Sequence, residues 1–124
     1  MAIQASRKTK DLVPGNCPVG FCMNIIGGKW KPVIIHMIRT NRNRHSLMLK
    51  NIHEISKQTL TNQLRELEAD GVIEPIIFPE IPPRVEYKLT PYGESLLPII
   101  DSMAQWAFKH MPNLRIGDSE ICPV

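Results

Sequence analysis

The sequence predicts a mainly α fold with one small β-hairpin, arranged as a winged helix-turn-helix. Three observations predict it. Segments with helix start and stop signals fill the chain from Cys17 to Gly71. After Gly71 the texture changes to short β-prone runs that alternate apolar and polar residues. Between a basic segment and those runs lies a helix with leucines on one side and Gln, Thr, Asn and Arg on the other. A basic helix, a polar-faced helix and a hairpin, in that order, are the parts of a winged helix-turn-helix.

The elements follow in order. Residues 1–16 hold Pro14 and Gly15 and show no apolar period, so they read as a flexible arm. Cys17-Pro18 opens a first helix, since proline suits a first turn where its missing N–H costs nothing. That helix runs through Ile26 with Val19, Met23 and Ile26 on its apolar side, and Gly27-Gly28 stops it. Pro32 sits in the first turn of a second helix filled by Val33, Ile34, Ile35, Met37 and Ile38. The stretch 40–43 is a polar turn, and a third helix over Arg44 to Ile52 offers Leu47, Met48 and Ile52 for burial.

Ser56 caps a fourth helix that runs to about Asp70 and stops at Gly71. At ~100° per residue Leu60, Leu64 and Leu67 form its core stripe, while Gln58, Thr61, Asn62 and Arg65 lie opposite. Val72-Ile73 and Ile76-Ile77-Phe78, the turn at Glu80 to Pro83, and alternating Val85, Tyr87 and Leu89 make the hairpin. Thr90-Pro91 starts a last helix to His110, with Pro98 kinking it or sitting in its first two turns. Trp30, Tyr87, Tyr92, Trp106 and Phe108 read as core and interface, and Met23, Met37, Met48 and Met103 as core filler. The tail over 112–124 reads as irregular. The organisation is thus an arm over 1–16, one folded domain over 17–111, and a tail.

Composition bounds the function. A chain of 124 residues with 43% hydrophobic and 22% charged residues can fold as one domain but has no room for a second, catalytic one. It has no run of ~20 apolar residues and no apolar signal-peptide core at its start, which points to a soluble cytoplasmic chain away from membranes. Three cysteines, Cys17, Cys22 and Cys122, are too few for a disulfide scaffold. The net charge of +3 hides an asymmetry. Residues 39–65 carry six basic side chains against Glu54 alone, while residues 66–101 carry eight acidic against two basic. A local basic block suggests an anionic partner, of which nucleic acid is the commonest.

Catalytic and metal signatures are missing. The cysteines lack C-x-x-C spacing and the four histidines are not paired at i, i+3 or i+4. There is no phosphate-binding glycine loop and no nucleophile elbow. The reading is of a non-enzyme without cofactor or metal. The strongest constellation is Ser56 to Gly71, because Arg reads guanine bidentately and Asn or Gln reads adenine.

Four motifs carry a family resemblance: Cys17-Pro18, Ile25 to Trp30 (IIGGKW), Leu60 to Gly71 (LTNQLRELEADG) and Pro82 to Thr90 (PPRVEYKLT). In this order and spacing, over about residues 17–110, the chain closely resembles the HxlR family of bacterial transcriptional regulators. It departs from the family pattern at Arg44-His45, where Arg-Phe is usual, and at His53-Glu54, where Pro-Gly is usual. The resemblance implies a winged-helix homodimer, with the first and last helices as dimerisation helices, that binds a near-palindromic double-stranded DNA operator on the nucleoid. The half-sites should then lie about one helical turn, ~34–36 Å, apart.

On that resemblance the DNA-binding set is Arg44, Lys50, Ser56, Lys57, Gln58, Thr59, Thr61, Asn62, Arg65 and Arg84. Arg44, Lys50 and Lys57 suit phosphates, Gln58 and Asn62 suit base edges, and Arg65 suits either. Arg84 either reaches the minor groove or is held internally by Glu80 or Glu86. The resemblance also makes Cys17 a sensor of oxidants or electrophiles, as the cysteine at this position is in some family members. An N-cap cysteine faces the positive end of a helix dipole, which favours the reactive thiolate, and Arg7, Lys8 and Lys10 on the arm add positive charge. The other reading of Cys17 is an inert buried cysteine. Cys22, five residues on, is placed for the core, while Cys122 is free to pair with Cys17 or across a dimer. The alternative function is a winged-helix interaction or dimerisation module without DNA binding.

Overall fold

The computed structural model describes residues 17–111. The arm, the tail, Arg7, Lys8, Lys10 and Cys122 lie outside the described residues. Helix α1 spans Pro18–Ile26, and the Cys17 sulfur caps it by accepting the Gly20 N–H at 3.3 Å. Its orientation differs from the expected one. Asn24, Ile25 and Ile26 are buried, whereas Val19 and Met23, expected inside, are exposed along with Phe21. The apolar period of α1 is real, but nothing within the described residues covers that part of it.

Helix α2, Lys31–Arg39, carries Pro32 at its second position. Ile34, Ile35, His36, Met37 and Ile38 are all buried, so it is enclosed on every side rather than amphipathic. Helix α3 is His45–Asn51 and helix α4 is Lys57–Ala69. Leu60, Leu64 and Leu67 of α4 are buried as the leucine stripe requires. Beyond α4, Gly71 adopts φ +79°, the left-handed conformation in which a Cβ is costly.

The strands are β1, Ile73–Phe78, and β2, Arg84–Leu89. They pair antiparallel from Ile73 opposite Leu89 to Phe78 opposite Arg84. The base of this hairpin is buried at Val72 and Ile73, while Ile77 and Ile81 near its tip are exposed. The single last helix that the sequence suggests is two: α5, Pro91–Glu94, and α6, Leu97–His110. Proline 98 explains the break. Its nitrogen cannot donate to the carbonyl four residues back, at Glu94, and α5 ends there. The proline then occupies the second position of α6, where it is tolerated. Trp106, Met103 and Tyr92 are exposed, so of the expected methionine filler only Met37 and Met48 are buried. No helix among the described residues is long and apolar enough to cross a membrane.

One close approach ties the hairpin to α5. The Val72 carbonyl accepts the Thr90 N–H at 3.0 Å, and a Cβ on Gly93 would lie 2.1 Å from that same oxygen. Because the obstacle is backbone, it cannot rotate away. Gly93→Ala should therefore cost about 2 kcal/mol or more of unfolding free energy. A lower urea midpoint with unchanged m-value checks this; an unchanged midpoint contradicts it.

Candidate nucleic-acid interface

The turn between α3 and α4 sets the interface. Ile52 and Ile55 are buried and anchor its two ends, while His53 and Glu54 between them face solvent. Glu54 has φ +68°. This is the position where the family pattern carries glycine, and the backbone keeps the glycine-like conformation with a glutamate in it. Ser56 then caps α4: its hydroxyl accepts the Thr59 N–H at 3.0 Å and donates to the Thr59 hydroxyl at 2.8 Å. Ser56 and Thr59 thus both belong to the cap.

The other departure, His45, also has a structural role. Its Nε2 lies 3.1 Å from the Thr61 hydroxyl, and that hydroxyl donates to the Lys57 carbonyl at 2.9 Å. A hydroxyl has one hydrogen, so Thr61 accepts from His45, which places a proton on Nε2. A polar link thereby joins α3 to α4, and Thr61 is half-buried by it. Beneath α4, Lys31 at the start of α2 is only 5% exposed and reaches Glu66 at 2.5 Å. A cation so buried needs its partner, so this pair fixes how α4 lies on α2.

The outer face of α4 presents Lys57, Gln58, Asn62 and Arg65, all exposed. Gln58 Nε2 donates to Asn62 Oδ1 at 2.9 Å, one helical turn apart, which holds both amides side by side. Lys50 stands exposed in the last turn of α3, and half-buried Arg44 immediately precedes its first, with no capping hydrogen bond from its side chain. Among the described residues no ion pair engages Arg44, Lys50, Lys57 or Arg65. Arg39, the first residue of the basic block, is taken up by Asp101 of α6 at 2.7 Å.

The hairpin is clamped beside this face by Asn43. Its side chain donates to the Tyr87 carbonyl at 2.8 Å and its own carbonyl accepts the Tyr87 N–H at 2.9 Å. Burial, together with the Glu68 carboxylate, raises the Tyr87 phenol above its ordinary pKa, with Arg65 pulling the other way. Tyr87 thus lies within electrostatic reach of the outer half of α4. Between the start of α3 and the hairpin tip runs an open groove of about 480 Å³, lined by Arg44, His45 and Ser46 and by Glu80 through Val85. Arg84 in that groove is paired internally, with both Glu80 and Glu86.

Of the ten residues expected to bind DNA, nine lie on α3, α4 and the residues that precede them, Arg44 and Ser56. Arg84 stands across the groove from Arg44. Sequence reasoning missed Lys31, Glu66 and Asn43. Their contacts span 35 and 44 residues, and no local pattern reports such a pairing. Cys17 and Cys22 are free thiols, both half-buried. No group of three or more His, Cys, Asp or Glu among the described residues could hold a metal ion.

Comparison with known proteins agrees with this geometry. Residues 25–115 match the HxlR-like helix-turn-helix family. The chain is 42% identical over 104 residues to YtcD of Bacillus subtilis, an uncharacterized HTH-type transcriptional regulator, covering 84% of this chain and 82% of that one. It is similar to the solved structure of the redox regulator HypR in its oxidized form, with TM-score 0.71 and 39% identity, over 75% of this chain and 96% of HypR. It is also similar to the reduced form of the transcriptional regulator YodB from B. subtilis, with TM-score 0.66 and 30% identity, over 77% of this chain and 94% of YodB.

The strained turn yields a prediction. Glutamate at φ +68° carries a left-handed penalty that glycine escapes, so Glu54→Gly should add about 1 kcal/mol of stability. For a domain near this size that corresponds to roughly 4–8 °C in melting temperature. A calorimetric scan of the two proteins checks it.

Proposed function

The chain belongs to the HxlR-like helix-turn-helix family, and on that premise we propose that it binds a near-palindromic DNA operator as a homodimer and responds to oxidants through Cys17. It is a transcriptional regulator of helix-turn-helix type, and neither its family nor its named relatives are enzymes. The observation that carries the operator reading is the outer face of α4. Lys57, Gln58, Asn62 and Arg65 are exposed and, among the described residues, free of ion pairs, on a helix fixed from below by Lys31–Glu66 and from the side by His45–Thr61. Gln58 and Asn62 read base edges, Lys57, Lys50 and Arg44 meet phosphates, and Arg65 serves either. Ser56 and Thr59 contribute by holding the helix end that enters the groove.

The experiment is a titration of duplex DNA at several salt concentrations. Lys57→Ala should weaken every duplex alike and lower the salt slope by about 0.9. Asn62→Ala should cost about 1–3 kcal/mol on the preferred duplex and little on others. Binding to no duplex at low salt would move the reading to a winged-helix interaction module.

The homodimer reading rests on apolar surface. Val19, Phe21 and Met23 of α1 are exposed, as are Ile99, Met103 and Trp106 of α6, with Trp106 at 64%. Large apolar side chains in such numbers on two helices mark an association surface. Trp106→Glu should shift the protein from dimer to monomer in sedimentation, with operator binding weakened at least tenfold because only one half-site is held.

The sensor reading rests on place. The Cys17 sulfur faces the first turn of α1, at the margin of that apolar surface, and is partly open to solvent. Two structural relatives are the redox regulator HypR and the diamide-treated YodB. Cys17→Ser should retain operator binding and lose its change on treatment with diamide. A response that persists in Cys17→Ser would sink the sensor reading and leave the regulator.

A further inference from the structure

The wing carries a cation that the fold has already neutralised. Arg84 opens β2 opposite Phe78, the last residue of β1. Its terminal nitrogens donate to two different carboxylates, Nη1 to Glu86 at 2.6 Å and Nη2 to Glu80 at 2.8 Å. The guanidinium carbon stands 3.9 Å from the centre of the Phe78 ring, so the flat face of the group is covered too. The Glu80 hydrogen bond and the two carboxylate charges hold Arg84 more firmly protonated than usual, against desolvation.

The rest of the hairpin repeats this balance. Glu74 and Lys88 are register partners with a 4.0 Å contact between charges. Three acidic residues (Glu74, Glu80, Glu86) therefore stand against two basic ones (Arg84, Lys88), and the hairpin is net negative. It sits next to the start of α3, with Arg44 on the opposite wall of the shared groove.

We propose, resting on the operator-binding reading above, that Glu80 and Glu86 are specificity determinants: they clasp Arg84 and withhold it from DNA until a cognate sequence draws it out. On arbitrary duplex, phosphate must displace two well-placed carboxylates to gain one arginine, and the freed carboxylates then face the DNA backbone. That exchange gains little. At a site with a narrow groove beside the wing the potential is more negative, and the arginine transfers. The carboxylates thus supply the repulsive element by which wrong sequences are rejected.

The test uses the full chain and two duplexes of equal length. One is selected by the wild-type protein from a random pool, and the other is a scrambled version of it. In Glu80→Gln/Glu86→Gln the clasp is neutral, and an amide oxygen remains to accept from Arg84. Affinity for the scrambled duplex should rise roughly eight-fold at 0.1 M salt and the slope steepen by about 0.9, the value of one added phosphate contact. Affinity for the selected duplex should change much less, so the ratio between them falls. Adding Arg84→Gln to that variant should abolish the gain.

Glu74→Gln removes one hairpin charge without touching Arg84 and should leave the slope unchanged. If Glu74→Gln reproduces the gain, or if the gain survives Arg84→Gln, a general charge effect replaces the clasp. If both duplexes weaken in parallel at constant slope, the carboxylates only brace the hairpin, and the proposal fails while operator binding stands. If neither wild type nor variant binds any duplex, both readings fall together.

Discussion

The structure depends on the enclosure of α2. Five consecutive residues, Ile34 to Ile38, are buried, so the middle of this nine-residue helix is enclosed all round and only its end at Arg39 is exposed. Each large aliphatic side chain buried there contributes roughly 1.5–3 kcal/mol, but only if some element covers it. Helix α4 and strand β2 both pack on α2. Two ion pairs then mark the ends of the enclosure: Lys31 to Glu66 of α4 near its start, Arg39 to Asp101 of α6 near its finish. The buried pair fixes a relation and the exposed one adds little energy. Covering α2 is what places the recognition face, the wing and the last helix relative to one another.

That constraint explains which parts were legible in the sequence. Helix α4 and its cap were readable because a Ser56 cap, a leucine stripe and a terminal glycine are local signals. The hairpin was readable for the same reason. The break between α5 and α6 was half-readable: Pro98 announced a disturbance, and of the two outcomes it allows, a kink or a place in a first turn, the fold takes the second, with Pro98 at the start of α6. The facing of α1 was misread at Val19 and Met23, because periodicity finds an apolar stripe without saying what covers it. Of that stripe only Ile26 meets the core, beside Ile25, while Val19 and Met23 are exposed on the described chain. Lys31–Glu66 and the Asn43 clamp were invisible, since a contact across tens of residues leaves no trace in composition.

The candidate site shows the same division. Its residues were legible by type and its support was not. His45 and Glu54 stand out in the sequence as departures from a family pattern, and the fold accommodates both without changing its backbone plan. At His45, packing is replaced by a hydrogen bond to Thr61, which removes Thr61 from the freely exposed set. At Glu54 the backbone keeps a positive φ, with the cost carried by a side chain that points into solvent. A turn can hold an unfavourable residue when the buried residues on either side, here Ile52 and Ile55, over-determine its path.

The two halves of the proposed interface are prepared in opposite ways. On α4 the hydrogen bond from Gln58 to Asn62 consumes one donor and one acceptor, leaving each amide further groups to face outward. Little side-chain entropy remains to be lost when such a pair meets a base edge, and among the described residues no ion pair engages the basic side chains around it. On the wing every cation already has a carboxylate partner, so no contact forms there without breaking one. Exposed cations on the helix pair, next to a wing whose cations are all paired, separate two tasks. On the proposed reading the helix pair attracts any duplex through phosphate charge, which falls steeply with salt, and the wing adds attraction only where the local potential exceeds what its own carboxylates supply. On that reading α4 supplies phosphate attraction and base readout together, and the wing adds a second, charge-gated layer of discrimination.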